Sequence, residues 1–316
     1  MSIKNDFDPE AFRPITLEDK EELFPILAES SCKSCEFAFG NLFSWKTHTG
    51  LLWQKAFGRL YFYYRDVDKL AFTLNGETDC PSPGELACVS RAMKKISASG
   101  DYFVVPPSVT EKYSCEEWEK YFILSPAPEE ELEYIYRISD LHTLPGKLLA
   151  KKRNLISQFR KNFPSATTEE ISGENLFLVR EIAAEWAKEH LRHDLKARED
   201  VYMEEKAVEL TLGAFDSLGA KGILLRDGKK GIAFAVGFPI TKEIWAEPFE
   251  KALPDHKGAS QSVLQELAAL LEKEGVLFLN REQDMGLEGL RQAKRSYQPR
   301  ELLASLRLQY KGDHSS

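Results

Sequence analysis

The sequence predicts an α/β (α+β) protein with two domains, each built around a mixed sheet. Its length of 316 residues is about twice the roughly 150 residues of a typical domain. Helical and strand-like apolar periods alternate along the chain, which is typical of mixed sheet domains. The order of elements in the second half also repeats that of the first. We therefore expect an N-terminal domain over residues 1–140 and a C-terminal domain over residues 141–316.

In the first half, apolar residues at three- to four-residue spacing predict helices, and short apolar runs between turn residues predict strands. The predicted helices cover 17–29, 35–47, 84–98 and 111–122. The predicted strands cover 51–56, 60–65, 69–74, Tyr102–Val105 and Glu133–Arg137. A helix therefore precedes each of the last two strands.

The same rules predict a matching order in the second half. The predicted helices cover 145–163, 174–191, 201–217, 260–274 and 287–297. The predicted strands cover 222–226, 231–238, 244–249, Val276–Asn280 and Leu302–Tyr310. Asp227-Gly228 is a hairpin turn signal between the first two of these strands. The run Val276–Asn280 is short and mostly apolar, which is typical of a central strand, and it corresponds in order to Tyr102–Val105.

The composition excludes several classes of protein. Hydrophobic residues make up 43% of the chain and charged residues 29%, which excludes a disordered or collagen-like chain. A net charge of −8 excludes a strongly basic coat for nucleic acid, so we expect no DNA partner. No apolar run approaches the roughly eighteen residues of a membrane span, and the first residues lack a secretory signal. These features predict a cytoplasmic protein.

Cysteine and histidine patterns do not predict a metal site. The five cysteines are an odd number, which suits reduced thiols better than a disulfide framework. Cys32 and Cys35 form a CxxC, but no second pair stands at zinc-ligand spacing, so we interpret the motif as structural. His190, His193 and Asp194 lack a further ligand nearby and indicate a surface helix end.

The element order resembles the GNAT-type N-acyltransferase fold, and a tandem of two such domains resembles the Fem-type peptidoglycan aminoacyltransferases. Three stretches resemble a bacterial family named after the C-terminal part of phosphatidylglycerol lysyltransferase. They are Cys35–Trp45, Gly146–Asn154 and Asn280–Tyr297, and Phe249–Ala252 is similar. The resemblance implies an acyl- or aminoacyltransferase with an amine or hydroxyl acceptor. The donor it implies is aminoacyl-tRNA or a small molecule such as coenzyme A, without a metal. The identity of the acceptor, lipid or otherwise, and the oligomeric state stay open.

The first candidate site is the basic segment 145–163, which has no acidic residue to pair its cations. Lys152 falls on the same helical face as the apolar residues Leu148, Leu155, Phe159 and Phe163. A cation on an apolar face needs a partner or must extend to water. We therefore expect phosphate or carboxylate binding by Lys147, Lys152, Arg153 and Asn154. The alternative is a solvated basic face.

The second candidate site is the stretch from Asn280 to Tyr297. Ligands of open α/β sheets bind beyond the carboxyl ends of strands, and Asn280 ends a predicted strand. Arg291 and Lys294 share a helix side with Leu287 and Leu290, which is the expected inner side. We expect Asn280, Asp284, Arg291 and Lys294 to line a ligand cleft. Alternatively, Asp284 caps the helix and pairs with Arg291 or Lys294.

The resemblance implies that Tyr297 donates a proton to the leaving group. A phenol is a suitable acid for a strongly basic leaving group, although a core tyrosine with a bonded hydroxyl is the alternative. Glu247 is a candidate general base. Strand alternation predicts that it shares a face with Trp245 and Phe249, which would raise its pKa. Lys251, close by, is a candidate anion ligand.

The loop before the helix at 260–274 weakens the prediction of coenzyme A as donor. In GNAT-like enzymes this loop binds the pyrophosphate on backbone N–H groups at a helix N-terminus. Here the loop has one glycine, Gly258, followed by Ala259 and Ser260. The alternative function is therefore a non-catalytic module that binds an anion or ligand on a degenerate GNAT fold.

Overall fold

A computed structural model describes residues 7–30, 32–76, 79–193 and 197–312 of the chain, so Asp194 lies outside the described residues. The helices are α1 (Lys20–Glu29), α2 (Phe39–Thr49), α3 (Pro83–Lys95), α4 (Pro107–Thr110), α5 (Cys115–Glu119), α6 (Ile138–Thr143), α7 (Ala150–Asn162), α8 (Leu176–His193), α9 (Arg198–Gly213), α10 (Phe215–Leu218), α11 (Ala259–Lys273) and α12 (Glu288–Arg295). The strands are β1 (Arg13–Pro14), β2 (Leu51–Ala56), β3 (Arg59–Tyr64), β4 (Lys69–Phe72), β5 (Tyr102–Val105), β6 (Phe122–Pro126), β7 (Glu133–Arg137), β8 (Ala166–Glu170), β9 (Lys221–Asp227), β10 (Lys230–Pro239), β11 (Ile244–Ala252), β12 (Phe278–Asn280), β13 (Glu301–Leu303) and β14 (Leu306–Tyr310).

The strands form two seven-stranded sheets with matching topology. The first sheet has the order β1-β2-β3-β4-β5-β14-β6, and the second, taken in the same direction, has the order β8-β9-β10-β11-β12-β7-β13. In each sheet a run of antiparallel strands leads to one parallel pair, β4 with β5 and β11 with β12. β5 and β12 therefore hold equivalent places, as the repeated element order predicts.

The two sheets exchange one strand. The sixth place of the first sheet is filled by β14, from the end of the chain, and the sixth place of the second sheet is filled by β7. Each of these strands therefore belongs to the sheet of the other predicted domain, since β7 precedes and β14 follows the predicted division between residues 140 and 141. That division stays a prediction, and the exchange ties the two sheets together through backbone hydrogen bonds.

Some predicted elements differ from the structure. The single strand predicted over Leu302–Tyr310 is wrong, because it is broken into β13 in the second sheet and β14 in the first. The helix predicted from residue 145 begins only at Ala150, since Leu144 and Gly146 adopt left-handed backbone conformations. The helix predicted over 111–122 is short, and its last residue already begins β6.

Strand β11 contains a bulge that changes which side chains share a face. Ala246 lies opposite Phe238 of β10, whereas Phe249 lies opposite Val236, so the register shifts between them. Trp245 consequently packs in the core of the second sheet, and Phe249 packs in a different core on the other face. The predicted common face of Trp245, Glu247 and Phe249 is therefore wrong, because a bulge adds a residue to the strict alternation of a strand.

A hydrophobic core joins the two halves. Phe39 and Leu42 of α2 share one buried cluster with Phe234 and Phe238 of β10. Helix α2 lies very close to β10 at Gly40, where a Cβ atom would be only 2.2 Å from the Phe238 ring. Each sheet also has a core of its own on its other face. The halves are therefore packed as one continuous body, with residues of both available to a site between them.

Within the described ranges, no helix combines the length and apolar content needed to cross a bilayer. All five cysteines are unpaired, and those of the CxxC motif, Cys32 and Cys35, are buried. Burial raises the pKa of both thiols, which suits a structural role.

Candidate active site

The pairing of the two parallel strands of the second sheet ends at Asn280, the carboxyl end of β12. β11 pairs with β12 only from Ile244 to Ala246, and β12 ends at Asn280 while β11 continues. We call the resulting gap, which lies between Glu247 and Arg281, the notch. In open α/β sheets, ligands bind beyond the carboxyl ends of diverging strands. The fold therefore places the notch where a ligand is expected.

The side chain of Arg281 fills the notch. Its Nε donates to the Glu247 carboxylate, and its Nη2 lies 2.5 Å from Oε2 of Glu250. The Arg281 side chain is 11% exposed and that of Glu247 is 1% exposed. The guanidinium carbon lies 5.8 Å from the ring centre of Tyr136 and 5.3 Å from that of Tyr297. One cation is thus held by two carboxylates and two aromatic rings.

Two buried polar atoms beside this cation have no hydrogen-bond partner in the described part of the chain. They are Oε1 of Glu247 and the hydroxyl of Tyr297. Burial raises the pKa of Glu247 above the ordinary value of a carboxyl group, although Arg281 opposes the shift. Burial, with the nearby Glu250, also raises the pKa of Tyr297. A buried acceptor and a buried donor left unbonded are costly, so they mark a place for polar groups of a ligand.

Lys152 of α7 reaches the same place. Its Nζ lies 4.0 Å from the ring centre of Tyr297, a cation–π distance. Burial and the neighbouring Arg281 lower its pKa. The structure therefore brings together three of the predicted site residues, Lys152, Glu247 and Tyr297.

The other predicted residues of the basic segment point elsewhere. Lys147 and Asn154 are exposed on the surface. Arg153 donates to the backbone carbonyls of Leu144 and Gly146, with 2.8 Å to the latter, and so stabilises the turn before α7. Of this group, only Lys152 lies at the notch.

Lys251 has partners of its own. Its Nζ lies 2.7 Å from a carboxylate oxygen of Glu204 and 3.6 Å from the ring centre of Trp186. Its charge is therefore already compensated within the protein.

Helix α12 turns its charged side inward and its leucines outward. Lys294 is buried and donates to the backbone carbonyls of Arg281 and Gln283, both at 2.5 Å. Leu287 and Leu290 are 60% and 36% exposed. The prediction that these leucines mark the inner side is wrong, because ion pairs and backbone hydrogen bonds, rather than apolar contacts, attach this helix to the protein.

Asp284 is buried and joins the start of this segment to its helix. It accepts two hydrogen bonds from Arg291, at 2.8 and 3.0 Å, one from the Tyr134 hydroxyl at 2.8 Å and one from the Gly286 N–H at 3.0 Å. The Arg291 hydrogen bonds lower the pKa of Asp284 to about 2. Asp284 does not cap α12, whose cap position is Leu287 and has no side-chain bond. The predicted pairing with Arg291 is present.

We expect Arg291→Ala to lower the midpoint of thermal unfolding by a few degrees, because it leaves the buried Asp284 without its main partner. The depressed pKa of Asp284 means that this stabilisation is complete above about pH 4 and is lost as the pH falls toward 2. Thermal unfolding of both proteins at pH 7 and pH 3 measures this difference. The exposed Arg300→Ala serves as the control. An unchanged midpoint in Arg291→Ala at pH 7 would contradict a stabilising role.

The N-terminus of α11 is occupied by groups of the chain itself. The hydroxyl of Ser260 donates to Oε1 of Glu250, which places a carboxylate beside the first turn. Helix α7 also packs against the preceding loop, because a Cβ atom on Gly258 would lie 2.4 Å from the backbone oxygen of Leu155. An internal anion and a packed helix thus occupy the helix N-terminus that the sequence resemblance implied for pyrophosphate binding.

Asn280 belongs to a buried network that joins the two halves. Its Nδ2 donates to Glu133 at 2.5 Å and to the backbone oxygen of Lys33 at 3.0 Å. Glu133 also accepts from the Ser34 hydroxyl at 2.5 Å and the Cys35 N–H at 2.7 Å. Asn280 therefore holds the end of β12 against the N-terminal half.

Two further carboxylates lie in this network. Glu282 accepts from the Asn41 amide at 2.6 Å, and Glu36 accepts from the Tyr64 hydroxyl at 3.3 Å. Burial is the main cause that raises the pKa of Glu36 to about 8 and of Glu282 to about 7, and it also raises that of Glu133. Three carboxyl groups with raised pKa values therefore meet between the halves.

These raised pKa values predict a stability that falls as the pH rises. The folded chain holds protons that the unfolded chain releases near pH 4.5, so folding is disfavoured progressively between about pH 5 and pH 8. Glu36→Gln should therefore raise the free energy of unfolding at pH 8 by about 1 kcal/mol and should have no effect at pH 5. The expected gain is smaller than the free energy that the whole pKa shift would represent, because Glu36 is only partly buried and water screens its charge. Urea unfolding at both pH values measures this, with the exposed Glu21→Gln as the control. An equal effect at both pH values would contradict the assignment.

Sequence reasoning missed two members of the site. Arg281 follows a buried strand inside the family-like motif, and that position was the available signal. No pattern in the sequence pointed to Glu250, because its contact with Arg281 depends on the bulge in β11.

Solved structures resemble the chain over almost its whole length. A conserved protein of unknown function from Bacteroides thetaiotaomicron VPI-5482 shares 28% identity, with 95% of this chain and 99% of that chain covered and a TM-score of 0.85. L-PGS from Bacillus licheniformis shares 14% identity, with 93% of each chain covered and a TM-score of 0.61. FemX shares 8% identity, with 94% and 96% covered and a TM-score of 0.53. These likenesses confirm the predicted fold of two tandem GNAT-like domains.

The family described as phosphatidylglycerol lysyltransferase, C-terminal, matches residues 29–305. Among curated proteins, none matches the sequence. The matched range contains both strands that frame the notch and the motif from Asn280 to Tyr297. This protein therefore belongs to the family of phosphatidylglycerol lysyltransferase C-terminal domains.

Proposed function

We propose that the chain transfers an activated acyl group, preferably an aminoacyl group from aminoacyl-tRNA, to an amine or hydroxyl acceptor at the notch. One observation carries the proposal: a buried carboxylate oxygen of Glu247 and the buried hydroxyl of Tyr297, both on residues next to Arg281, have no hydrogen-bond partner among the described residues. An acceptor that donates a proton and a leaving group that takes one would satisfy both atoms.

The chemistry assigned to these groups balances. The acceptor nitrogen or oxygen attacks the acyl carbon and gives its proton to Glu247, while the departing oxygen takes the proton of Tyr297. Burial raises the pKa of Glu247, so its ionised form is a stronger base than an ordinary carboxylate, and the neighbouring Arg281 favours that ionised form. The raised pKa of Tyr297 suits donation to a strongly basic alkoxide. Arg281 and Lys152 would stabilise negative charge on the acyl oxygen or on a donor phosphate.

The donor preference rests on the N-terminus of α11. Glu250, bonded to Ser260, and the packed helix α7 occupy the loop at which the GNAT resemblance implies pyrophosphate binding, which supports a donor other than coenzyme A. The exposed cations of α7 suit the phosphates of a nucleic acid donor, which would come from the cytoplasm. The family description, a lysyltransferase, also supports an aminoacyl rather than an acetyl group.

One observation favours a second function, that of a non-catalytic binding module. Arg281 neutralises Glu247 and Glu250 inside the protein, so the notch is closed by the chain's own side chain. A ligand without any transfer reaction could use the same groups by displacing this guanidinium.

Transfer assays separate these functions. The full chain is incubated with total tRNA charged with labelled amino acids, or with labelled acetyl-coenzyme A, and with a mixture of small amines and alcohols. We expect the aminoacyl ester to be consumed faster than in buffer, with Glu247→Gln slower and the exposed Glu181→Gln unchanged. Consumption of acetyl-coenzyme A would contradict the donor assignment. Binding of the charged tRNA without turnover would establish the module instead.

A further inference from the structure

The buried ammonium of Lys294 bridges the two segments that carry Arg281 and Tyr297. Its side chain leaves α12 and donates to the backbone carbonyls of Arg281 and Gln283, both at 2.5 Å. Its own backbone oxygen accepts from the Tyr136 hydroxyl at 2.7 Å and from the N–H of Tyr297 at 3.1 Å. One residue thus contacts the turn after β12 and the helix end before Tyr297.

The turn that Lys294 holds has an unfavourable backbone conformation. Glu282, between the two bonded carbonyls, has a φ of 58°, a value that non-glycine residues rarely adopt. Its N–H donates to the Asn280 side chain at 2.8 Å, and its own carbonyl accepts from the Tyr134 N–H at 3.2 Å. Strained backbone of this kind persists only where surrounding contacts over-determine it. Two charge-assisted hydrogen bonds from one buried ammonium supply a large part of that restraint.

We propose that Lys294 is a positioning residue, which fastens the turn at 281–283 and thereby sets the guanidinium of Arg281 relative to the hydroxyl of Tyr297. It does not bind an external anion, because two of its three protons are already bonded within the protein. The effect of Lys294 on turnover rests on the proposed transfer reaction. Its role in holding the turn and Arg281 in place is independent of that reaction.

The groups around Lys294 allow its amine to stay protonated. The groups that face it are Arg281 and Glu282 of the turn, Glu247 of β11, Cys35 of the N-terminal half and the Tyr134 ring, whose centre lies 5.8 Å away. Burial and Arg281 lower its pKa to about 8, and the carboxylates oppose that shift. The ammonium therefore persists at neutral pH.

The test is the Nε–H signal of Arg281 in nuclear magnetic resonance spectra of the full chain. In the wild type this proton is bonded to Glu247 and should exchange slowly with water. In Lys294→Met, which keeps the apolar stem without donors, we expect exchange at least about tenfold faster because the turn is released. The turnover number for acyl transfer should fall by about 100-fold with little change in KM, since small displacements of reacting groups are costly. The exposed Lys273→Met is the matched control and should change neither measurement.

An unchanged Arg281 signal in folded Lys294→Met would overturn the proposal, even if the variant were less stable. If Lys294→Met does not fold, Lys294→Gln, which keeps a donor on a shorter side chain, is measured by the same signal with a smaller expected acceleration. An altered Arg281 signal without acyl transfer in any variant or in the wild type would retain the positioning role and reject the transfer reaction.

Discussion

Replacing Tyr297 by Phe should lower the rate of acyl transfer by about 10²–10⁴-fold, the usual contribution of a positioned general acid, with donor binding close to that of the wild type. The ring would keep its contacts with Lys152 and Tyr136, while the proton for the leaving group would be lost. The stability of the variant tests the environment of the Tyr297 hydroxyl independently of catalysis. Because the buried hydroxyl has no partner in the described ranges of the chain, its removal should leave the free energy of unfolding unchanged or raise it by up to about 1 kcal/mol.

Single-turnover rates and donor affinities of the two proteins measure this prediction. Tyr202→Phe, which removes a hydroxyl from a tyrosine that is exposed on α9, is the matched control. Unchanged turnover in Tyr297→Phe would remove this residue from catalysis. A marked loss of stability would instead indicate a hydroxyl bonded in the folded protein.

Arg281→Met should destabilise the chain by about 3–5 kcal/mol, the range for removing one partner of a buried ion pair. Glu247, whose side chain is 1% exposed, would lose the cation to which it is directly bonded, and Glu250 would lose its ion pair while keeping the hydrogen bond from Ser260. The cost should be smaller at pH 6 than at pH 9. The reason is that Glu247 already has a raised pKa and becomes neutral at the lower pH once the cation is removed.

Urea unfolding at the two pH values measures this prediction. The double variant Arg281→Met with Glu247→Gln should recover much of the lost stability, because it removes the uncompensated charge. Additive losses in the double variant would show that the two side chains do not interact in solution.

Local patterns predicted most elements of this fold. The runs 51–56, Tyr102–Val105 and Glu133–Arg137 are strands with the predicted bounds, since each is an apolar run between turn residues. The resemblance identified the family, and the motif from Asn280 to Tyr297 contains the turn that closes the notch. Residue pattern alone placed Lys152 on the face of Leu155 and Phe159, where the structure sets it against Tyr297, but it wrongly included Leu148, which precedes the helix and is exposed.

The remaining site residues required the three-dimensional arrangement. Arg291 and Lys294 carry the charges expected of anion ligands, yet their hydrogen bonds go to Asp284 and to backbone carbonyls. Whether a cation serves a ligand or the protein depends on which acceptors stand opposite, and spacing along a helix does not contain that information. The same is true of Lys251, because the sequence does not show that its partner is Glu204 of α9.

By itself, the sequence determined most of the order of helices and strands, the duplicated arrangement and the family, because these follow from apolar periodicity and from short motifs that are local in the chain. Only the tertiary structure decided the exchange of β7 and β14, the bulge in β11 and the pairing of Arg281 with Glu247 and Glu250. Strand periodicity identifies a strand but not its neighbours, and one extra residue in a bulge reverses every later face. The notch depends on the bulge and on these two ion pairs, which arise from pairing between elements and not from the pattern of any one element.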